Sequence, residues 1–467
     1  MQRARCGWVG FATRVASTAS LAVAAATASS WPAGADGSAG PTADRIQWPD
    51  GTVALPFENL EGVILVRATV YGSSSPGLDG PNAGSSAPRA LAGRDTTGWF
   101  AIDTGAGFLA LDSQLALDLG VLDRLPPRSI DIAARPLPRL VVGDLTVDQV
   151  APILIFESRL LSRVTDRPVL GLIGYGLIRD RALWIDYREQ QLALVPSGAA
   201  ADRDDPTAVG ASRRLLSGTL SGAAVPVRFR MTEDGKVLLR VRVTPTHGGG
   251  TTPWLNLALD TGASKCTLFE DVVEPVANSA GWRPEIHGLA APTLLAASPA
   301  RLCRVKRVEV RGVAGTAEAA QVEVALIRNP LAQELETLAG EPVHGLLGYS
   351  FLKRFRVACD YPRRVLWLDP IRAFHDGDAD QHAQVGLQFE RSQGGVHIVA
   401  VIDGSPAARA GIQPGDELVS VDGQAVSGVG AAQLGRRLEG VPGSTVTLTT
   451  RRGKLEQTHH LRRRRLL

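Results

Sequence analysis

One short phrase occurs twice in this chain. Residues 99 to 106 read WFAIDTGA and residues 256 to 264 read NLALDTGAS, so an apolar strand runs into Asp103-Thr104-Gly105-Ala106 and again into Asp260-Thr261-Gly262-Ala263. An acid that ends a strand and is followed by Thr and Gly sits at the mouth of a tight loop, because Gly permits dihedrals and close backbone approach that other residues resist. The Thr hydroxyl is placed to donate to a neighbouring main chain. One such phrase is ordinary turn chemistry. Two, each closing an apolar strand, predict two carboxylates delivered by the same route.

The repetition extends past the phrase. LPFENLEGVILVRATV (55 to 70) parallels PVRFRMTEDGKVLLRVRV (226 to 243), each a strand, a turn closed by Gly62 or Gly235, and a second alternating strand. GLIGYGLIRDRALWIDYREQQLAL (171 to 194) aligns without a gap to GLLGYSFLKRFRVACDYPRRVLWL (345 to 368). Both halves therefore run hairpin, DTGA, β-rich middle, an apolar-apolar-Gly step at Ile173-Gly174 or Leu347-Gly348, short helical turn and final hairpin. The expected fold class is mainly β, with one lobe duplicated.

These residues resemble the aspartic proteases, specifically retropepsin-like lobes of the D-[ST]-G-[AS] kind fused in one chain. The resemblance covers about residues 53 to 370, with near-identity only at the two DTGA loops and the two GL[IL]GY segments. It implies two pseudo-symmetric acid-protease lobes, with Asp103 and Asp260 as the catalytic pair. Thr104 and Thr261 become hydroxyls that brace one lobe against the other, Gly105, Ala106, Gly262 and Ala263 complete the loops, and Ile173, Gly174, Leu347 and Gly348 back them. The halves differ directly after the phrase, where Gly107 stands in the first and Ser264 in the second.

The chemistry expected of such a pair follows from charge. Two carboxyls a few ångströms apart do not both ionise comfortably, so one keeps a proton and the two titrations split. The expected function is an aspartic endopeptidase that activates a water for peptide hydrolysis, without metal or organic cofactor. The alternative is a non-catalytic peptide-binding or adaptor protein using the same scaffold. No G-x-S-x-G elbow or Cys/His pairing suggests another nucleophile.

A third unit follows. VGLQFERSQGGVHIVAVIDGSPAARAGIQPGDELVSVDGQAV (385 to 426) has a strand, a Ser405-Pro406 helix start with a Gly411 stop, and a PGDELVSVDG hairpin. It resembles a bacterial PDZ domain, with AAQLGRRLEG (431 to 440) as its second helix. That implies an extended peptide added to a sheet edge, its terminal carboxylate held at Gly386-Leu387-Gln388-Phe389.

Residues 1 to 28 carry Arg3, Arg5 and Arg14, then an apolar run of small residues from Val15 to Ala28. The run ends in an A-x-A site, which predicts a secretory signal and an exported protein, periplasmic, envelope-bound or secreted, or tethered by an uncleaved signal. The division expected is signal 1-28, flexible segment 29-52, lobe one 53-196, linker 197-214, lobe two 215-373, linker 374-384 and PDZ unit 385-467. A Gly/Ser/Pro-rich insertion at 73 to 95 reads as a surface loop. The longer DTGA-to-Gly interval in the second half, 88 residues against 71, places a hairpin covering the site at 285 to 302.

A formal charge of +3 gives no global field for nucleic acid. Partners are therefore a peptide or protein substrate and a C-terminal peptide at the PDZ unit, and the paired acids need no second copy. His459 and His460, adjacent on a strand, point to opposite faces and do not suggest a metal. The mature chain would keep Cys266, Cys303 and Cys359, an odd count best read as buried thiols.

Overall fold

The computed structural model describes residues 46 to 466 apart from 61, 73 to 94, 127 to 129, 134, 166, 199 to 204, 249, 278 to 285, 293 to 296, 375 to 383 and 393. The signal segment, the Gly/Ser/Pro-rich insertion and most of the 374-384 linker lie outside the described residues. No described helix is long and apolar enough to cross a membrane.

The described residues are mainly β, in four sheets. The strand Val63–Tyr71 shows why. Its VILV run is buried on both faces, and period-2 geometry sends Ile64, Val66, Ala68 and Val70 into one apolar cluster and Val63 and Leu65 into another. Its counterpart Val237–Thr244 does the same, with Val237, Leu239, Val241 and Val243 in the first cluster and Leu238 in a separate one. That first cluster takes residues from both halves, so they share one core.

The two halves pair their strands alike. Asp95–Ile102, which leads to Asp103, runs parallel to Val169–Ile173, and Leu255–Leu259, which leads to Asp260, runs parallel to Gly345–Leu347. Leu109–Asp112 lies antiparallel to 169-173 as Cys266–Phe269 does to 345-347. The final hairpins of the two halves then join edge to edge. Arg181–Asp186 pairs with Phe355–Asp360 inside a six-stranded sheet that also takes Val53–Pro56, Gln191–Pro196, Val365–Pro370 and Val225–Arg228. This sheet fixes how one half faces the other.

The stretch read as a linker at 197 to 214 contains structure. Helix Ala208–Leu215 packs Ala208 into the cluster of Trp184 and Trp367, and Trp367 Nε1 donates to Ser212 Oγ at 3.0 Å. A polar composition concealed it, since only one face of the helix is apolar. The stretch expected to cover the site forms two antiparallel strands, Ile286–Pro292 and Ala297–Arg311, with residues 293 to 296 outside the described residues.

The C-terminal unit is a sheet of Leu387–Ser392, Gly395–Val401, Glu417–Val421, Thr445–Arg452 and Leu455–Arg462, with the short strand Gln424–Ala425 beside it. Ser405 caps helix Pro406–Arg409, its hydroxyl accepting from Ala408 N at 3.2 Å, and Gly411 takes φ +79°. Ile402 of this unit packs with Leu331 and Leu335 of helix Leu331–Ala339, which seats it on the second half.

Candidate functional site

The two DTGA loops meet at the junction of the halves. Asp103 and Asp260 are both 0% exposed. Each is positioned by its own strand pair: Asp103 N donates to Ile173 O at 3.0 Å, and Asp260 N to Leu347 O at 3.1 Å. Each carboxylate accepts the amide two residues on, Gly105 N to Asp103 Oδ1 at 2.7 Å and Gly262 N to Asp260 Oδ1 at 2.8 Å. The carboxyls share a neighbourhood. A Cβ added to Gly105 would stand 3.0 Å from Asp260 Cγ and 3.1 Å from Asp103 Oδ1.

The threonines tie the loops together reciprocally. Thr104 Oγ1 donates to Leu259 O at 3.0 Å and accepts from Thr261 N at 3.0 Å. Thr261 Oγ1 donates to Ile102 O at 2.8 Å and accepts from Thr104 N at 3.1 Å. Four buried hydrogen bonds thus cross between the halves.

The glycines behind the loops are dictated by close approach. A Cβ on Gly174 would lie 2.4 Å from Ala106 O, and one on Gly348 2.4 Å from Lys265 O and 2.6 Å from Ala263 O. The amides that follow bind the same carbonyls, Tyr175 N to Ala106 O and Tyr349 N to Ala263 O, both at 2.8 Å. Ala106 and Ala263 are buried in these contacts.

Electrostatics separate the two acids. Burial raises the Asp103 carboxyl to about 6, against the lowering effect of the Gly105 amide and of the Lys236 charge. Asp260 is raised well above the ordinary carboxylate range, first by burial and then by the charge of Asp103. The remaining oxygens, Asp103 Oδ2 and Asp260 Oδ2, are buried, and among the described residues no group outside the pair donates to them. Buried acceptors of this kind are costly and rare unless a ligand supplies the donor.

Several contacts of this site were not singled out in the sequence. The turns at Gly62 and Gly235, with φ +83° and +88°, each seat on the opposite half's loop. A Cβ on Gly62 would strike the Tyr349 ring at 2.8 Å, and one on Gly235 the Tyr175 ring at 2.0 Å. Asn59 Nδ2 donates to Tyr349 Oη at 2.9 Å, and Asp234 and Lys236 form a buried ion pair. The signal was available in the aligned hairpins and in the repeated GY, but nothing in them says which loop a turn will meet.

In the C-terminal unit, Gly386 takes φ +83°, and Gly386 O accepts from Ile402 N at 2.8 Å. Leu387 pairs with Val401, and a register irregularity falls between Gln388 and Phe389. The 387-392 strand is the last in its sheet order. Leu387 and Phe389 pack on the cluster that holds Leu434 and Leu438 of helix Ala431–Leu438.

The family model that matches the chain describes a PDZ domain, at residues 397 to 452. The C-terminal unit is a PDZ domain. A probable CtpA-like serine protease of Staphylococcus haemolyticus (strain JCSC1435) is 30% identical over 95 residues, 20% of this chain and 19% of the relative. The protein of the same description from Staphylococcus aureus (strain COL) is 26% identical over a stretch of the same length. Among solved structures, a photosystem II D1 C-terminal processing protease is 31% identical over 19% of this chain and 24% of that one, with a TM-score of 0.18. The chain spans about a fifth of the length of the curated relatives it matches.

These comparisons correct the functional class. The relatives matched are proteases described as serine-type, so the expectation of an aspartic-type endopeptidase, with its aspartyl and retropepsin-like designations, is set aside. The expectation rested on two short loops, and loop identity by itself does not define a reaction. Serine chemistry, for its part, belongs to the relatives. Among the described residues, Ser113 and Ser158 bond to carboxylates, Ser197 to Asp360 and Arg363, Ser212 to Trp367, and Ser350 to the Glu323 carbonyl.

Proposed function

We propose that this is an exported peptide- or protein-binding protein related to proteolytic systems. Its PDZ domain takes an extended chain end, with Gly386, Leu387, Gln388 and Phe389 forming the peptide-binding loop and edge. The two N-terminal β units are a pseudo-symmetric pair of acid-protease-like lobes, spanning about 53-196 and 215-373. At their junction Asp103 and Asp260 form a proton-sharing acid–base centre, held by Thr104 and Thr261 and backed by Ile173, Gly174, Leu347 and Gly348. The relatives' protease descriptions support peptide or protein as the ligand class.

The observation that carries this reading is the 387-392 edge strand, whose Leu387 and Phe389 pack on the apolar cluster of Leu434 and Leu438. An edge strand offers unpaired amides and carbonyls to a peptide, while alternate side chains select it. The test is binding of peptides with a free apolar C-terminus to the full chain, by calorimetry. Amidation of the terminus, or Phe389→Asp, is expected to weaken binding at least tenfold. Equal binding of free and amidated peptides, unmoved by Phe389→Asp, would overturn the assignment of this edge.

A further inference from the structure

The two turns that seat on opposite loops are equivalent in backbone and unequal in charge. Val63 follows Gly62 and begins the 63-71 strand; it is 0% exposed and packs with Leu65, Leu154 and Leu161. Lys236 follows Gly235 at the corresponding place before the 237-244 strand, two residues ahead of the buried Leu238. Its side chain is 1% exposed. A lysine buried at an apolar position is costly unless its charge is compensated.

Compensation comes from a fixed local frame. Lys236 Nζ bonds the carboxylate of Asp234, itself 1% exposed, and Thr232 Oγ1 donates to Asp234 Oδ1 at 2.5 Å. Lys236 N closes the turn on Thr232 Oγ1 at 2.9 Å. This turn is pressed on the first loop: a Cβ at Gly107, the residue after Ala106, would lie 2.9 Å from Asp234 O. The ion pair therefore stands behind the loop of Asp103, and the loop of Asp260 has Val63 in the equivalent place.

We propose that Lys236 is a positioning residue that keeps the negative charge of the carboxyl pair on Asp103 and its shared proton on Asp260. This rests on the reading of the two acids as a proton-sharing centre and adds to it the assignment of roles. The groups that face Asp103 electrostatically are Asp260, Lys236 and Tyr361; those that face Asp260 are Asp103 and Tyr187; and Lys236 faces Asp234, Asp103 and Glu334. Lys236 is the one cation in that set, and the turn that carries it is pressed on the loop of Asp103. A duplicated loop sequence is thereby given two unequal members.

The test is a carbon-13 NMR titration of the Asp103 and Asp260 carboxyls in the full chain, comparing wild type, Lys236→Met and Lys236→Arg. In wild type, Asp103 is expected to lose its proton first. In Lys236→Met its midpoint is expected to rise by about one unit or more, as for loss of a close opposite charge, and Lys236→Arg should hold it near wild type. An unmoved midpoint in Lys236→Met overturns the proposal. If that variant does not fold, the order in wild type decides, and Asp260 titrating first overturns it. Both acids titrating in the ordinary carboxylate range would instead remove the shared-proton reading beneath it.

Discussion

The first half and the second are alike where the carboxyls are held and unlike in almost everything around them. Both acids end a strand, accept an amide two residues on, and are backed by a glycine that no larger residue could replace without displacing a carbonyl. Beyond that shell the first half breaks its outer sheet into Ile130–Ile132, Leu137–Val142, Leu145–Val150 and Ile153–Phe156, whereas the second runs through in the long strands Ala297–Arg311 and Thr316–Ile327. Val63 stands in the first half where Lys236 stands in the second, and Gly107 where Ser264 does. Duplication within one chain lets the geometry that requires two equal partners stay equal while the electrostatics diverge. A pair of identical subunits has no such freedom.

The sharpest way to break the likeness is at the backing glycines. Gly174→Ala and Gly348→Ala each place a methyl 2.4 Å from a main-chain oxygen, and each is expected to cost about 3 kcal/mol or more, read as lost denaturant stability. Equal losses support equivalence, and a loss in one half alone would show that only that loop is tightly held.

A comparable effect comes from pH. Asp103 has a folded value raised from 3.8 to about 6, so the folded state holds its proton more tightly than the unfolded state does. Stability is then full below about 4 and falls as pH rises through that window, by about 3 kcal/mol for this group alone. Asp260 adds a loss of the same sign. Glu323 acts oppositely and lower: Lys265 holds it at about 2 despite its burial, so its contribution is present above 4.5 and lost as pH falls towards 2. Asp103→Asn should flatten the loss between pH 4 and 6 and leave the acid limb, which urea unfolding across pH will show.

Removal of the cross-brace comes next. Thr104→Ala and Thr261→Ala each delete two buried hydrogen bonds, at about 2 kcal/mol apiece, and the double variant should cost less than their sum because both pairs of bonds join the same two loops. Strict additivity in the unfolding cycle would argue against a shared brace. The smallest effect is expected at Gly107 and Ser264. Gly107→Ser meets Asp234 O and should cost about 1 kcal/mol, against less for Ser264→Gly, measured as a shift in melting temperature.

Much of this was legible from strand periodicity and repetition. The double DTGA, the paired glycines and the alternation in VILVRATVY are local patterns, and each half's own strands satisfy them. The capped Ser405-Pro406 helix was legible for the same reason, as every partner lies within a few residues. What could not be read depends on contacts between halves: the seating of Gly235 on Tyr175, the burial of Lys236, and the sheet that joins 181-186 to 355-360. A lysine after Glu-Asp-Gly looks like a solvated turn until another unit covers it. The 208-215 helix was missed because its buried side is narrow. The serine-type description of the relatives could not be read from the DTGA phrases, because a loop that positions two acids does not by itself define a reaction.

The central claim is that Asp103 and Asp260 form one coupled pair. Titration of the Asp260 carboxyl in wild type and in Asp103→Asn tests it most directly. With Asp103 in place, Asp260 should hold its proton well above the ordinary carboxylate range. In Asp103→Asn the like charge is gone, and the Asp260 midpoint should fall, still raised by burial. A midpoint that is the same in both proteins would contradict the coupling and leave two acids that merely lie close.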